Sequence, residues 1–371
     1  MNFKRTQTIE TCLAPRRALV IYGPRRIGKT TLLNSFLSRQ SGKRIFSAVG
    51  DDIKIRTLFR SEDRDEILAF ARPYEIVAID EAQSVPNIGL GAKMIIDAFP
   101  GKTLILTGSS SFDLSRQVGE PLTGRHFTMT LLPIAQREIA ASRFEIRNAL
   151  DDFLIYGSYP EVLAADDREH KERILRELVS SYLFKDVLAL DRIKSPDLLL
   201  DIVRCLAFQV GAEASHNEIA QTVKTDPKTV ARYLDVLEKM FVIKKVRGFS
   251  RNLRNEISKK SKYYFLDNGI RNAAIGRFNP LSERDDAGAL WENFVFMELS
   301  KQSAIAGDGA AFYFWRTHAG HEIDIIMESG GKIRAIECKW SGDARAPALW
   351  GATYPGARFC VVNRDNYLDE F

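Results

Sequence analysis

The chain has 371 residues, enough for two or three domains, and its 45% hydrophobic content supplies ordinary globular cores, which argues against a disordered protein. No uninterrupted apolar stretch is long enough to span a bilayer, and Met1 to Thr8 lacks the apolar segment of a signal peptide, so a soluble, cytoplasmic protein with no membrane partner is expected. Cys12, Cys205, Cys338 and Cys360 stand singly, which argues against zinc and structural disulfides, and a net charge of +5 permits a polyanionic partner without establishing one.

Arg17 to Tyr22 is a short apolar run that predicts a buried strand, and the apolar spacing of Leu32, Leu33, Phe36 and Leu37 predicts a helix. Between them lie Gly23, Pro24, Arg25, Arg26, Ile27, Gly28, Lys29, Thr30 and Thr31, a G-x-x-x-x-G-K-T run in the strand-loop-helix context of a phosphate-binding loop. The glycines let backbone N–H groups turn inward, Lys29 is suited to the β/γ-phosphates of ATP, and the Thr30 hydroxyl is suited to Mg²⁺. Arg25 and Arg26 are open to three roles: nucleotide contact, contact with a neighbouring subunit, or hydration.

Arg44 to Val49 predicts a second strand, and Tyr74 to Asp80 a third that ends in Asp80-Glu81. Asp80 is expected to hold Mg²⁺, directly or through water, and Glu81 to orient and polarise the attacking water. A fourth strand, Lys102 to Gly108, ends in Ser109-Ser110-Ser111. Ser109, with Thr107 next, is the expected γ-phosphate sensor, although serine clusters serve equally as helix caps and turns. Arg116 and Arg125 follow as candidates for an arginine finger or phosphate sensor, set against the ordinary solvated state of a surface arginine. Strands alternating with helices imply a parallel sheet covered by helices.

These segments, with Leu122-Thr123-Gly124-Arg125 and Tyr156-Gly157-Ser158-Tyr159-Pro160-Glu161, resemble the AAA-superfamily P-loop ATPases of an archaeal and bacterial group that carry a winged-helix segment and a C-terminal restriction-endonuclease-like domain. The resemblance implies an ASCE-type ATPase core with Glu81 catalytic, Gln83 following the acidic pair, and a helical lid beginning near Leu132-Pro133. It supplies no substrate.

From Ile139 to about Ser195 the pattern is helical and amphipathic, with Ile174, Leu175, Leu178, Val179, Tyr182 and Leu183 at three- and four-residue steps. Tyr156 to Glu161 is expected to turn the chain and is assigned no chemistry. His216 to Val223 then reads as a short helix, Lys224-Thr225-Asp226 as a turn, and Pro227 as the start of a helix that Asp226 caps. Val230, Tyr233, Leu234, Leu237 and Met240 form its apolar stripe, with Lys228 and Arg232 elsewhere around it, a helix-turn-helix pattern. Strands at Phe241 to Val246 and Tyr263 to Leu266 complete a winged helix, with Lys244, Lys245, Arg247, Arg251, Arg254, Lys259, Lys260 and Lys262 as a basic wing. Such a run neutralises DNA phosphates in one reading and is merely solvated, or docks a protein, in another.

Trp291 opens a further helix expected to be amphipathic, and Phe312 to Trp315, His321 to Met327 and Lys332 to Trp340 read as strands. Alternation places Glu337 and Lys339 on one face, with Asp324 approaching from the preceding strand. This D…E-x-K pattern suits metal-dependent phosphodiester cleavage: Asp324 and Glu337 bind Mg²⁺, Glu292 joins from the helix, and Lys339 positions or activates water. Set against this are a retired nuclease used for docking and a surface Glu337–Lys339 ion pair. His318 and His321 stand near and are left out of the assignment.

The expected architecture is therefore α/β: a P-loop ATPase core over residues 1–138, a helical lid over 139–195, a winged helix over 196–275, and a restriction-endonuclease-like domain over 276–371. The expected function is an ATP-hydrolysing, DNA-associated motor or switch with a candidate Mg²⁺-dependent nuclease, acting as a homo-oligomer or with a protein partner. The alternative is a nucleotide-dependent signalling or docking scaffold whose nuclease-like domain is inactive. A metabolic kinase is disfavoured, because Asp80-Glu81, the sensor strand and the winged helix have no place in a simple acceptor site.

Overall fold

The computed structural model describes residues 3–109, 122–181, 195–250, 261–317 and 319–371. Ser110, Ser111, Arg116, Tyr182, Leu183, Arg251, Arg254, Lys259, Lys260 and His318 lie outside the described residues. The chain divides into two compact units, Arg5–Leu132 with Lys239–Phe241, and Pro133–Glu238 with Val242–Phe371 and Met1–Lys4. The segments 139–195 and 276–371 lie wholly within the second unit, and 196–275 does so apart from Lys239–Phe241.

Among the described residues of the N-terminal unit, five fully or partly apolar runs form strands β1 (Ala18–Tyr22), β2 (Ile45–Val49), β3 (Ile76–Asp80), β4 (Thr103–Gly108) and β5 (His126–Thr130). They pair in parallel in the order β2-β3-β4-β1-β5. Parallel pairing buries both faces of the central strands, which is why β1 and β3 are unbroken runs of buried residues. Helices Lys29–Ser38, Ile53–Arg60, Arg64–Ala71 and Ile88–Ala98 connect the strands. Asp52 and Asp63 cap two of them, each accepting from two backbone N–H groups of the first turn. The strand order sets β4 between β1 and β3, so the C-terminal ends of these three strands lie side by side. That is where ligands sit in open parallel sheets.

The C-terminal unit starts with helices Arg143–Asn148, Leu150–Tyr156, Pro160–Ala164, Arg168–Ser181 and Pro196–Phe208. Ile174, Leu175, Leu178 and Val179 are buried, as their spacing requires. Helices His216–Thr222 and Pro227–Lys239 follow. Asp226 caps the second, accepting from the N–H groups of Lys228 and Thr229, both at 2.9 Å. Val230, Tyr233, Leu234, Leu237 and Met240 are buried, while Lys228 and Arg232 are exposed.

Among the described residues, the unit's sheet has seven strands: β6 (Glu213–Ala214), β7 (Ile243–Gly248), β8 (Ser261–Phe265), β9 (Ala311–Arg316), β10 (Glu322–Ser329), β11 (Lys332–Cys338) and β12 (Arg358–Val362). They run in the order β12-β11-β10-β9-β7-β8-β6. The β7–β8 hairpin and the later strands thus share one sheet, joined where β7 pairs in parallel with β9. Helix Ala287–Ala306 departs from its amphipathic expectation. It is buried nearly all round, with Trp291, Phe294, Val295, Phe296 and Leu299 accompanied by Asn293, Glu298 and Lys301. A helix covered on every side need not carry a polar face, but its polar residues must then find partners inside. Lys301 Nζ does so, donating to Glu298 Oε1 at 2.7 Å, Ser158 Oγ at 2.8 Å and the Ile134 carbonyl at 3.0 Å. Asn293 and Asn268 are likewise hydrogen-bonded within the unit.

The patch Tyr156 to Glu161 turns the chain, as expected. Gly157 adopts φ +73°, and a Cβ there would lie 2.0 Å from the Asp267 carboxylate. Asp267 caps the helix Asn268–Ala274 and also accepts the Ser158 N–H at 2.7 Å. Burial pushes its carboxyl above the ordinary range, against these backbone N–H groups and the charge of Lys301. The patch is a structural clamp.

Candidate functional sites

The phosphate-loop sequence folds as a turn between β1 and helix Lys29–Ser38. Gly23 has φ +151° and Gly28 has φ +92°, and a Cβ on Gly23 would meet the Leu131 carbonyl oxygen at 2.0 Å. Both glycines are therefore required by geometry. Pro24 and Ile27 are buried, Arg25 and Arg26 exposed, and Thr31 stands exposed on the first turn of the helix. Lys29 is only 4% exposed, and its ammonium donates across the loop to the carbonyls of Gly23 at 3.0 Å and Pro24 at 2.7 Å.

The polar side chains converge from three strand ends. Thr30 Oγ1 donates to Asp80 Oδ2 at 2.6 Å, and Thr107 Oγ1 donates to Asp80 Oδ1. The Glu81 N–H reaches both Asp80 Oδ1 at 3.1 Å and Thr107 Oγ1 at 3.2 Å. Glu81 takes a left-handed backbone, φ +50°, a conformation that costs a non-glycine residue and gathers at functional sites. Its carboxylate accepts from Gln83 Nε2, which also reaches Ser109 Oγ at 3.3 Å. Gly50 closes the far side: its N–H donates to the Asp80 carbonyl at 2.7 Å, and a Cβ there would lie 2.2 Å from the Glu81 carbonyl oxygen. Sequence reasoning passed over Gly50, whose signal was a glycine ending a strand next to the acidic pair.

Arg125 is not brought to this cluster. Its neighbour His126 pairs with Ala18 at the start of β1, the opposite end from the loop, roughly 13 Å of strand away. Its guanidinium pairs instead with Asp97 at 2.7 Å, and both side chains are substantially exposed. A phosphate-sensing role in its own loop is thereby set aside, since a strand fixes the separation of its two ends.

In the second unit, Asp324, Glu337, Lys339 and Glu292 gather at the β10–β11 pair and the buried helix. Ile325 pairs with Ile336, so Asp324 and Glu337 are the next neighbours along the ladder. The register with β9 shifts between Ile323 and Ile326, an irregularity of the kind a β-bulge produces. Lys339 Nζ lies 2.8 Å from Glu337 Oε1, which raises the lysine's pKa. Asp324 Oδ2 accepts the Cys338 N–H at 2.8 Å. Burial, then the charges of Glu292 and Glu337, push the Asp324 carboxyl up to about 7.

Lys262 departs from its expected place in a solvated basic wing. It is 1% exposed, and its ammonium lies 2.7 Å from Glu322 Oε1 and 3.2 Å from Glu292 Oε1. The reason is that Lys262 lies on β8, an interior strand whose five residues are all buried, so both of its faces are covered. Tyr264, two residues on, donates its hydroxyl to Glu292 Oε1 at 2.6 Å. Burial alone would lower the pKa of Lys262, but Glu292 and Glu322 outweigh it and hold the ammonium above its ordinary range. Burial pushes the Glu292 carboxyl up, and Lys262 and Tyr264 pull it back. Among the described residues, no group of three or more His, Cys, Asp or Glu is arranged to hold a metal ion.

The N-terminal fold and site point to a class: residues 15–140 match a family model described as an AAA domain, which supports an AAA, P-loop ATPase-like unit and suggests a nucleotide-binding, ATPase-type function. Residues 147–281 and 287–353 match models described as domains of unknown function, DUF8612 and DUF4143. The chain is similar to uncharacterized proteins of Mycobacterium tuberculosis, Rv2008c, at 27% identity over 87% of this chain and 72% of that one. It is also similar to MJ1544 of Methanocaldococcus jannaschii, at 26% over 86% and 74%. A Haemophilus influenzae protein gives 27% over 86% and 81%. No helix among the described residues is long and apolar enough to cross a membrane. All four cysteines are free thiols.

Proposed function

We propose that the chain is an Mg²⁺-dependent ATPase whose nucleotide cycle acts on DNA, as a motor or switch. The observation that carries this is the convergence of Lys29, Thr30, Asp80, Glu81, Thr107 and Ser109 at three adjacent strand ends. The loop fits a nucleotide, since its glycines leave the backbone unobstructed and Lys29 rests on carbonyls that a phosphate can replace. Thr30 and Asp80, already in contact, fit Mg²⁺, which when bound neutralises charge on the phosphates. Glu81 orients a water and draws on its proton, with Gln83 fixing the carboxylate. Ser109 senses the terminal phosphate. DNA is engaged by a winged helix through the exposed Lys228, Arg232, Lys244 and Arg247.

ATP turnover measured with and without DNA tests this directly. Lys29→Ala is expected to abolish nucleotide binding, Glu81→Gln to keep binding and lose turnover, and DNA to stimulate the unmutated chain. Unimpaired hydrolysis by Glu81→Gln would remove the role given to Glu81. Absence of DNA binding at low salt, or an affinity indifferent to salt and to Lys228→Ala/Arg232→Ala, would remove the DNA reading.

A second reading concerns the C-terminal module alone. Asp324, Glu337 and Lys339 are the residues that metal-dependent phosphodiester cleavage would use. The Lys262 ion pairs favour instead a nuclease-like domain that docks a partner and cuts nothing.

A further inference from the structure

The C-terminal carboxylates are the side chains that a divalent cation would need, yet each has a partner within the protein. Glu292 accepts from Tyr264 and lies 3.2 Å from Lys262, Asp324 accepts the Cys338 N–H, and Glu337 pairs with Lys339. Glu322, the fourth acid, lies 2.7 Å from Lys262 and 3.9 Å from Arg316. These residues do not fit a resident divalent metal.

We infer that Lys262 is a tethered cation that takes the place of a divalent metal in the acidic pocket formed by Glu292, Glu322 and Asp324. Two observations and one electrostatic argument carry this. First, its ammonium is enclosed and bridges Glu292, from a helix, and Glu322, from β10. Second, its backbone is held: Lys262 pairs with Val246 of β7 on one side and Glu213 of β6 on the other, which anchors the base of the side chain beside these carboxylates. Third, an ammonium and a divalent ion repel each other in a poorly solvated pocket, where like charges interact far more strongly than in water. A side chain fixed beside its carboxylates also outcompetes a free ion through its high effective concentration. The inference rests on the second reading of the C-terminal module and is independent of the ATPase.

The test is Mn²⁺ binding by the full, nucleotide-free chain, followed by calorimetry. All proteins carry Asp80→Asn so that the phosphate-loop site does not contribute. The parent is expected to show no Mn²⁺ binding that Asp324→Ala abolishes. Adding Lys262→Met, which keeps the stem and removes the charge, is expected to create a site that binds Mn²⁺ about tenfold or more tightly than any residual binding of the parent. Asp324→Ala should abolish that site. A Mn²⁺ site in the parent that disappears with Asp324→Ala would overturn the inference. So would a folded Lys262→Met chain that gains no site. Where Lys262→Met does not fold, the parent and its Asp324→Ala derivative decide the matter: identical isotherms support the inference, and a difference refutes it. None of these outcomes bears on ATP turnover, so failure here is distinguishable from failure of the ATPase reading.

Discussion

Gly50→Ala is a small change whose consequence reaches the proposed chemistry. The added methyl would sit 2.2 Å from the Glu81 carbonyl oxygen, 2.9 Å from its carbonyl carbon and 3.3 Å from the Asp80 oxygen. An ordinary C···O contact is about 3.3 Å, so the two backbones must part by roughly 1 Å. Both neighbours are main chain, and no side-chain rotation relieves the clash. The Gly50 N–H to Asp80 carbonyl bond, 2.7 Å in the native chain, would stretch beyond hydrogen-bonding distance. Overpacking costs about 1–3 kcal/mol and the lost bond about 1 more. The larger effect is on turnover, because a displacement of about 1 Å in a catalytic group costs on the order of a hundredfold. Urea unfolding should show a lowered midpoint, and ATP turnover corrected for folded fraction should fall by about two orders of magnitude. Gly101→Ala, where a Cβ meets nothing within 4 Å, is the control. Turnover by Gly50→Ala within about threefold of the unmutated chain would refute the claim that this contact positions Glu81.

Two further outcomes follow from buried charge. Lys301→Met should destabilise the chain by about 3–5 kcal/mol, because it leaves Glu298, 1% exposed, without its ammonium partner. Arg204→Ala, which breaks an exposed pair with Asp201, should cost under about 0.5 kcal/mol, and equal losses in urea unfolding would contradict the burial argument. The raised Asp324 carboxyl, about 7 when folded, favours folding in its protonated form. Its contribution is fully present below about pH 4 and is lost as pH rises through about 7. Asp324→Asn should therefore flatten the decline in unfolding midpoint across that window, and an unchanged slope would exclude Asp324 as its source.

The geometry of the N-terminal site is largely legible because it is local. A loop must turn within eight residues, and an acidic pair must stand at a strand end, so spacing along the chain carries the geometry. Strands at 17–22, 44–49, 74–80 and 102–108 were each found within two residues at either end. What sequence did not reveal is long-range. Strand order determines that Thr107 meets Asp80, and that Arg125 emerges at the wrong end of β1. Lys262 departs from its expected place for a similar reason. It closes a basic run, and only its place on an interior strand shows that the next alternation, Tyr264, and Lys262 itself point into the protein. The lysine beside Tyr263-Tyr264-Phe265 was the available signal, a charge abutting an apolar strand that needs an internal partner.

The two lysines show why similar residue sets have opposite prospects with a divalent cation. Lys29 sits on a loop and rests on the carbonyl oxygens of Gly23 and Pro24. In the proposed ATPase, exchanging those neutral acceptors for phosphate oxygens would strengthen its bonds, so the ammonium would gain when nucleotide and Mg²⁺ arrive together. Lys262 already holds charge-assisted contacts with Glu292 and Glu322 from within a strand. A divalent ion entering there must strip those contacts and leave a buried ammonium uncompensated, a loss comparable to breaking any buried ion pair. The same arithmetic applies to Lys262→Met in reverse: the vacated charge destabilises the chain, and a divalent ion that binds only the folded state restores it. Mn²⁺ should therefore raise the unfolding midpoint of Lys262→Met in the Asp80→Asn background more than that of the Asp80→Asn parent.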